Sequence, residues 1–140
     1  MRVVLDTDVL VAALRSPAGA SAEVVRLVLR NDITVVVSVA LILEYEAVAT
    51  RSEHLSASGL SASAVLNVID ALARAGERTR SYFLWRPQLR DPNDEMVLEA
   101  AVNAGSVPIV TFNHRDFFEG SKRFRLPLLL PGDLLRRMRQ

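Results

Sequence analysis

The sequence predicts an α/β fold, a three-layer α/β/α sandwich with a central parallel β-sheet, built from residues 1–140 as a single domain. Short valine-rich runs alternate with stretches in which apolar residues recur every three or four positions, a pattern typical of strands joined by helices. Such βαβ units make their strands parallel and cover the sheet with helices. The chain has 140 residues, half of them hydrophobic, which fits one folded domain and excludes a disordered segment.

The first half of the chain predicts two strands and three helices. Valine-rich runs mark the strands, and the helices have apolar residues at helical spacing between serine starts and a glycine stop. In chain order, these elements are a strand at 2–5, a helix at 21–29 with Ser21 as N-cap, a strand at 33–37, a helix at 39–50 and a helix at 61–75 closed by Gly76.

The second half continues the alternation. The segment 79–85 fits either a strand or a loop. The remaining elements are a helix at 92–104 followed by Gly105, a strand at 107–111, a short strand at 128–130 and a closing helix at 132–139. The predicted order of the main elements is therefore β-α-β-α-α-α-β.

Residue types absent from the chain exclude several classes of site. Because there is no cysteine, the protein has no disulfide, thiolate metal site or cysteine nucleophile, and only two histidines are present. The longest notable charge-free apolar run, 33–43, is 11 residues long, whereas a membrane span needs about 20 residues. Asp6 precedes any signal-peptide core. We therefore expect a cytoplasmic protein with no membrane segment.

Acidic residues follow two of the predicted strands. Asp6 and Asp8 come directly after the strand at 2–5, and Thr111, Asn113 and Asp116 come after the strand at 107–111. In an open parallel sheet the functional crevice lies beyond the carboxyl ends of the strands. The alternative is that these are capping and turn residues, with Asp6 or Asp8 capping the next helix and Asp116 capping 117–119.

Two further carboxylates lie on helix faces that carry apolar residues. Glu44 shares the stripe of its helix with Leu41 and Val48, where a carboxylate is costly unless it is paired or bound to a cation. An ordinary salt bridge at the edge of the stripe is the alternative. Asp94 likewise precedes apolar positions of its own helix, on the side away from Glu95 and Glu99, which we expect to face solvent.

Asp91 has a simpler explanation. It is placed to cap the helix that Pro92 opens, with Asp94 as the reciprocal capping acid.

If the other carboxylates converge, they form a set of hard oxygen ligands suited to Mg²⁺ or Mn²⁺. Such ions activate water and stabilise the leaving oxygen in phosphodiester hydrolysis. Walker A, GxGxxG, GxSxG and HExxH motifs are all absent from the sequence.

The motifs DTDVLVAAL, ILEYEAVATR, DPNDEMVLEAA and VPIVTFNHRDF, in this order, resemble the PIN-domain nucleases, and most closely the VapC-type toxins. The resemblance implies a metal-dependent ribonuclease acting on single-stranded RNA, often dimeric and held inactive by a cognate antitoxin. It implies catalytic and metal-binding roles for four acids, Asp6, Glu44, Asp94 and Asp116. Four more residues are candidates for an extended site, namely Asp8, Asp91, Thr111 and Asn113.

Two departures from the family pattern bear on the site. Asn113 stands at one commonly acidic position, so either it or Asp116 is the fourth ligand. Asp8 replaces the usual Asn or Ser and adds a carboxylate. The family resemblance also leaves open whether the chain is a toxin or a housekeeping RNA-processing enzyme.

The remaining charges and apolar residues suggest where partners bind. The last thirty residues carry a net charge of +4 against −3 for the rest of the chain. Three cations near the Thr111 edge are candidate RNA phosphate contacts, namely Arg115, Lys122 and Arg123. An apolar stripe on the helix at 61–75 suggests self-association, and comprises Val65, Leu66, Ile69 and Leu72.

Two other functions compete with the nuclease. A PIN-like fold with an incomplete fourth ligand could serve as a catalytically weak scaffold for protein interactions. Asp6-Thr7-Asp8 also resembles the opening motif of phosphatases that use an aspartate nucleophile. Those enzymes need a Thr or Val at position 10, which is Leu, and a lysine near a later strand, whereas Lys122 is the only lysine and is expected in a loop. Receiver domains require the same lysine.

Overall fold

The computed structural model describes residues 1–80 and 92–139, which form an α/β sandwich around a parallel sheet. The strands are β1 (Arg2–Leu5), β2 (Thr34–Val37), β3 (Glu77–Arg78), β4 (Ile109–Val110) and β5 (Leu128–Leu129). The helices are α1 (Thr7–Arg15), α2 (Ala20–Leu29), α3 (Val39–Ala49), α4 (Ser52–Ser58), α5 (Ala62–Ala75), α6 (Pro92–Asn103), α7 (His114–Phe124) and α8 (Pro131–Met138). The predicted fold class is confirmed.

The five strands lie in the order β3-β2-β1-β4-β5, and all neighbouring pairs are parallel. From β1 the chain builds outward through β2 to β3 on one side, and then returns to place β4 and β5 on the other. The direction of construction therefore reverses between β1 and β4. In open α/β sheets a ligand crevice forms at such a switch point, outside the carboxyl ends of the strands.

The hydrophobic core is centred on the three inner strands of the sheet, β2, β1 and β4. Strands β1, β2 and β4 end in residues that are at most 1% exposed, since helices cover them. Such continuous apolar runs are typical of parallel strands buried on both faces. Tyr45, Phe117 and Leu98 are among the largest fully buried side chains that fill the space between sheet and helices.

Several element boundaries differ from the sequence predictions for local reasons. Helix α2 starts one residue early, with Gly19 as N-cap, and Ser21 is buried inside it. Asp8 does not cap a helix, because α1 already begins at Thr7 and its N-cap is Asp6. Gly76 follows the end of α5, as predicted, and its φ is −82°. A Cβ at this position would lie 2.8 Å from the carbonyl oxygen of Val35, so glycine permits a close approach to β2.

The predicted order of elements lacks three helices, α1, α4 and α7, of which α1 was implied only as the helix that Asp6 or Asp8 caps. Helix α4 is short and almost entirely polar, and α7 combines charged residues with Gly120, which weakens its helical signal. Residues 114–124 are helical because Phe117 anchors one face of α7 in the core. Lys122, which we expected in a loop, lies in the last turn of this helix.

The expected exposure of two helices was wrong. In α5, Val65, Ile69 and Leu72 are each about 1% exposed, because the helix packs against α2, α3 and β2. Only Leu66 of the stripe proposed for self-association remains at the surface. In α6 the two glutamates expected to face solvent, Glu95 and Glu99, are 2% and 7% exposed. This helix contacts α3, α7 and three strands, so it has little free surface.

Within the described ranges, no single helix is long and apolar enough to cross a membrane; α4 and α5 pass the test only as a pair, with a 90° bend between them.

Candidate active site

A cavity of about 430 Å³ lies at the carboxyl edge of the sheet, beside the switch point between β1 and β4. Four of the carboxylates singled out in the sequence line it, Asp6, Asp8, Glu44 and Asp94. They come from the end of β1, the first turn of α1, the middle of α3 and the first turn of α6. The fold therefore brings together side chains that are up to 88 positions apart in the sequence.

Asp6 is held rigidly in this cavity. Its Oδ1 accepts a hydrogen bond from the backbone N–H of Thr7 at 2.7 Å, which makes it the N-cap of α1. Its Oδ2 accepts from the hydroxyl of Thr111 at 2.7 Å, across the switch point. Asp6 is only 5% exposed, and this burial raises its pKa above the ordinary value although both hydrogen bonds lower it. The capping interpretation was thus correct for Asp6 without removing it from the site.

Asp8 is a partly buried acid with a strongly raised pKa. Its Oδ2 accepts from the backbone N–H of Phe112 at 3.1 Å, whereas no donor in the described part of the chain reaches its buried Oδ1. Burial first, and the negative charge of Asp6 second, raise the pKa of Asp8 to about 7. At neutral pH this pair of acids therefore tends to keep a proton that two separate aspartates would release.

Tyr45 stabilises the end of β1 next to the cavity through a buried hydrogen bond. Its hydroxyl donates a 2.6 Å hydrogen bond to the carbonyl oxygen of Leu5, the last residue of β1. The side chain is 1% exposed, and burial together with the charge of Asp6 raises its pKa. This contact connects α3, which carries Glu44, to the strand that directly precedes Asp6.

Replacing Tyr45 by Phe is expected to lower the free energy of unfolding by about 1–2 kcal/mol, because a buried carbonyl loses a donor while the packing is kept. Urea unfolding monitored by circular dichroism measures this, with an unchanged dependence on urea expected. A Tyr45→Phe variant as stable as the wild type would show that the hydroxyl does not stabilise the end of β1.

The residues after β4 position the acids. Besides donating to Asp6, the hydroxyl of Thr111 accepts from the backbone N–H of Asn113 at 2.9 Å, and Thr111 is fully buried. Asn113 lines the cavity at the start of α7. Asp116 is exposed and is not among the lining residues, although its negative charge contributes to the raised pKa of Asp6. Of the two alternatives for a fourth ligand, Asn113 is therefore the one at the cavity.

The other predicted residues are distributed unevenly. Asp91 lies outside the described residues, as does most of the segment 79–85. Arg115 is exposed in the first turn of α7, close to the carboxyl edge of the sheet. Lys122 and Arg123 are in the last turn of the same helix, about 10 Å further along its axis. Because α7 connects two parallel strands, its last turn lies toward the opposite edge of the sheet.

The sequence interpretation missed the two basic residues that line the cavity, Arg15 and His54. Arg15 ends α1 and His54 lies on α4, which was not predicted. Arg15 had a detectable signal, because Asp8, Ala12 and Arg15 are spaced by four and three positions and so share one helix face. His54 had none, since nothing in the sequence relates α4 to this edge.

The donor set of the cavity suits a hard divalent cation. All four acids offer oxygen, and the unsatisfied Oδ1 of Asp8 beside the Asp6 carboxylate is an arrangement that a cation would stabilise. In the part of the chain that is described, no three His, Cys, Asp or Glu side chains already form a closed ligand cluster. The side chains therefore surround a cavity that fits a cation in chemistry, with adjustment of their rotamers needed to ligate it.

Comparisons with known proteins agree with this arrangement. The profile of the PIN domain family matches residues 2–115, which include all four cavity acids. A search of curated proteins finds no match. PIN domains are generally nucleases and typically bind divalent metals. Since the match covers most of the sequence and the sheet, cavity and acids fit it, the chain belongs to the PIN domain family.

Proposed function

We propose that this protein is a divalent-metal-dependent endoribonuclease that hydrolyses phosphodiester bonds in single-stranded RNA. The observation that carries the proposal is the convergence of Asp6, Asp8, Glu44 and Asp94 on one cavity at the switch point of the sheet. Membership of a family that consists mainly of nucleases supports the reaction class. We infer RNA as the substrate and Mg²⁺ or Mn²⁺ as the metal from the resemblance of the sequence motifs to VapC-type proteins.

Each acid has a distinct part in this proposal. Asp6, Glu44 and Asp94 would hold the metal, with Asp8 and Asn113 beside them, and the metal when bound would activate water and stabilise the leaving oxygen. Asp6 is fixed for this role by the N–H of Thr7 and the hydroxyl of Thr111. Asp8 holds a proton in the metal-free protein and releases it when a cation binds, so metal affinity should increase as the pH rises toward 7.

Cleavage of a fluorescent single-stranded RNA with Mn²⁺, Mg²⁺ or EDTA tests this function directly. We expect cleavage that requires the metal, and none of double-stranded RNA or single-stranded DNA of the same sequence. If the wild type binds Mn²⁺ but cleaves none of these substrates, the alternative of a catalytically weak PIN scaffold is favoured instead.

We further propose that the chain acts in the cytoplasm as the toxin of a toxin–antitoxin pair. The support is the resemblance of its DTDVLVAAL and DPNDEMVLEAA motifs to VapC-type toxins. Expression in a bacterial host should then arrest growth, and Asp6→Asn should abolish the arrest. A short neighbouring reading frame whose product binds the chain and restores growth would identify the antitoxin; normal growth at high expression would favour RNA processing.

Self-association is proposed on a different surface from the one considered in the sequence. Val39 and Leu43, one turn apart on α3, are each 58% exposed. Neighbouring exposed apolar side chains that form one patch are typical of surfaces that pair with another chain. Sedimentation at tens of micromolar should show a dimer that Leu43→Glu disrupts; a monomeric wild type would exclude it.

A further inference from the structure

The cavity has a cationic end as well as an acidic one. Arg15 and His54 line it together with the four acids, and Nη2 of Arg15 lies 2.9 Å from Nδ1 of His54. Because a guanidinium can only donate, Nδ1 of His54 is the acceptor and its imidazole carries the proton on Nε2. The interaction therefore orients Arg15 without neutralising its charge.

The charge of Arg15 is not paired with a carboxylate of the described residues, unlike that of five other arginines. Arg2, Arg26, Arg30, Arg74 and Arg136 each form an ion pair with a carboxylate. No carboxylate among the described residues lies within ion-pair distance of Arg15. An exposed guanidinium that lines the cavity and donates to an imidazole nitrogen is available to an anionic ligand, and its planar fork matches the oxygens of a phosphate.

The spacing along α1 separates the two ends of the cavity. Asp8 and Arg15 are seven residues apart on the same face of the helix, which places them about 10 Å apart along its axis. Between them the wall is apolar and consists of Val11 and Ala12, with Val48 of α3 also lining the cavity. The cavity thus presents carboxylates, then an apolar stretch, then a positive charge.

We propose that Arg15 binds a phosphate of the RNA strand next to the scissile one, and that His54 is the positioning residue that holds Arg15 for this contact. The inference rests on the proposed nuclease function. The scissile phosphate would lie at the acidic end, the intervening nucleoside would cover Val11 and Ala12, and the neighbouring phosphate would reach the guanidinium. Arg15 thereby sets which phosphate of the RNA strand lies at the acidic end of the cavity.

The test compares Arg15→Gln with Arg15→Lys and with the control Arg74→Gln. Arg74 is an exposed arginine near the end of α5, at the opposite edge of the sheet. Affinity for a labelled single-stranded RNA is measured in EDTA over a range of salt, and KM and kcat are measured with Mn²⁺. We expect Arg15→Gln to weaken RNA binding and raise KM about tenfold or more, since a charge-assisted bond to phosphate is lost.

Salt dependence adds a readout that a structural role would not change. The slope of log affinity against log salt should fall by about 0.7 to 1 in Arg15→Gln, as expected for one phosphate contact with a single strand. Arg15→Lys should keep most of the slope but bind less tightly, because it retains the charge without the fork. Arg74→Gln should match the wild type, and Mn²⁺ affinity should be the same in all four proteins.

His54 is tested by two variants. His54→Leu should raise KM as Arg15→Gln does and leave kcat and the melting temperature near the wild-type values. His54→Asn, whose amide oxygen can replace Nδ1 as acceptor, should restore much of the affinity. If both variants change KM equally, or if neither does, His54 does not position Arg15.

The outcomes separate this inference from the function on which it rests. If the wild type cleaves RNA and Arg15→Gln keeps the wild-type KM and salt slope, the phosphate contact is wrong and the nuclease stands. If the wild type neither binds nor cleaves RNA, both are wrong. Weakened RNA binding by Arg15→Gln in EDTA supports the contact even where cleavage is too slow to measure.

Discussion

Asp6→Asn is expected to reduce Mn²⁺-dependent cleavage of single-stranded RNA by at least about 10²–10³-fold, because a ligand charge at the reacting phosphate contributes several kcal/mol to the transition state. The fold should survive the change. The amide oxygen can still accept from the N–H of Thr7, and its NH₂ can donate to the hydroxyl oxygen of Thr111. Initial rates at saturating RNA, with melting temperatures recorded in parallel, measure the effect.

Asp32→Asn is the matched control for this experiment. Asp32 is an exposed aspartate in the turn before β2, at the opposite edge of the sheet from the cavity. The Asp32→Asn variant should cleave RNA at the wild-type rate. Equal loss in both variants would indicate a general effect of charge on RNA binding, and equal retention would place the catalytic site elsewhere.

Asp8→Asn is expected to stabilise the metal-free protein at pH 8 and to leave its stability nearly unchanged at pH 4. The pKa of Asp8 is raised from 3.8 to about 7 in the folded chain. Between these values the folded state holds a proton that the unfolded state releases, so the stability of the wild type falls as the pH rises through this window. Asparagine has no such proton and removes this term.

The size of the effect is limited by partial exposure. Because Asp8 is not fully buried, solvent reduces both the cost of burying its charge and the repulsion by Asp6, and we expect a gain of about 1–3 kcal/mol at pH 8. The amide keeps the acceptor for the N–H of Phe112 and can donate toward Asp6. Urea unfolding in EDTA at both pH values measures the difference. A variant that is less stable than the wild type at pH 8 would contradict the raised pKa of Asp8, which burial causes first and the charge of Asp6 second.

The sequence predicted the centre of the fold because strong local patterns and a general rule coincide there. The runs ending at Leu5 and Val110 are buried strands, and the rule that crevices form beyond the carboxyl ends of parallel strands related Asp6 to Thr111 across 105 positions. The 2.7 Å hydrogen bond between these two side chains shows that they lie together at this edge of the sheet. Helical spacing likewise identified Glu44 and Asp94 as residues that turn inward.

The errors arise where tertiary packing overrides a local pattern. Glu95 and Glu99 look solvent-exposed on a single amphipathic helix, but α6 lies between α3, α7 and the sheet and buries more than one face. The stripe around Ile69 resembled an interface because its partner elements were not known, and it is core. Helical periodicity reports that a face is apolar without reporting what covers it.

The cationic end of the cavity was missed for a related reason. Arg15 shares a helix face with Asp8, yet one arginine at helical spacing is usually a solvated residue. The proposed phosphate contact of Arg15 depends on His54, which reaches the same cavity only through the packing of α4 against α1. Contacts of this kind depend on the angle between two helices, which the sequence of either helix does not encode.

Binding of Mn²⁺ followed by electron paramagnetic resonance of the free ion tests the central claim, that the carboxylates of this cavity are a metal site. Titrations of the wild type, Asp6→Asn and Asp32→Asn at pH 7.5, about the pH of typical assays, should show saturable binding that is lost only in Asp6→Asn. Bound Mn²⁺ should also raise the melting temperature of the wild type and of Asp32→Asn. Equal binding by wild type and Asp6→Asn would contradict the metal site, and with it the proposed catalytic role of this cavity.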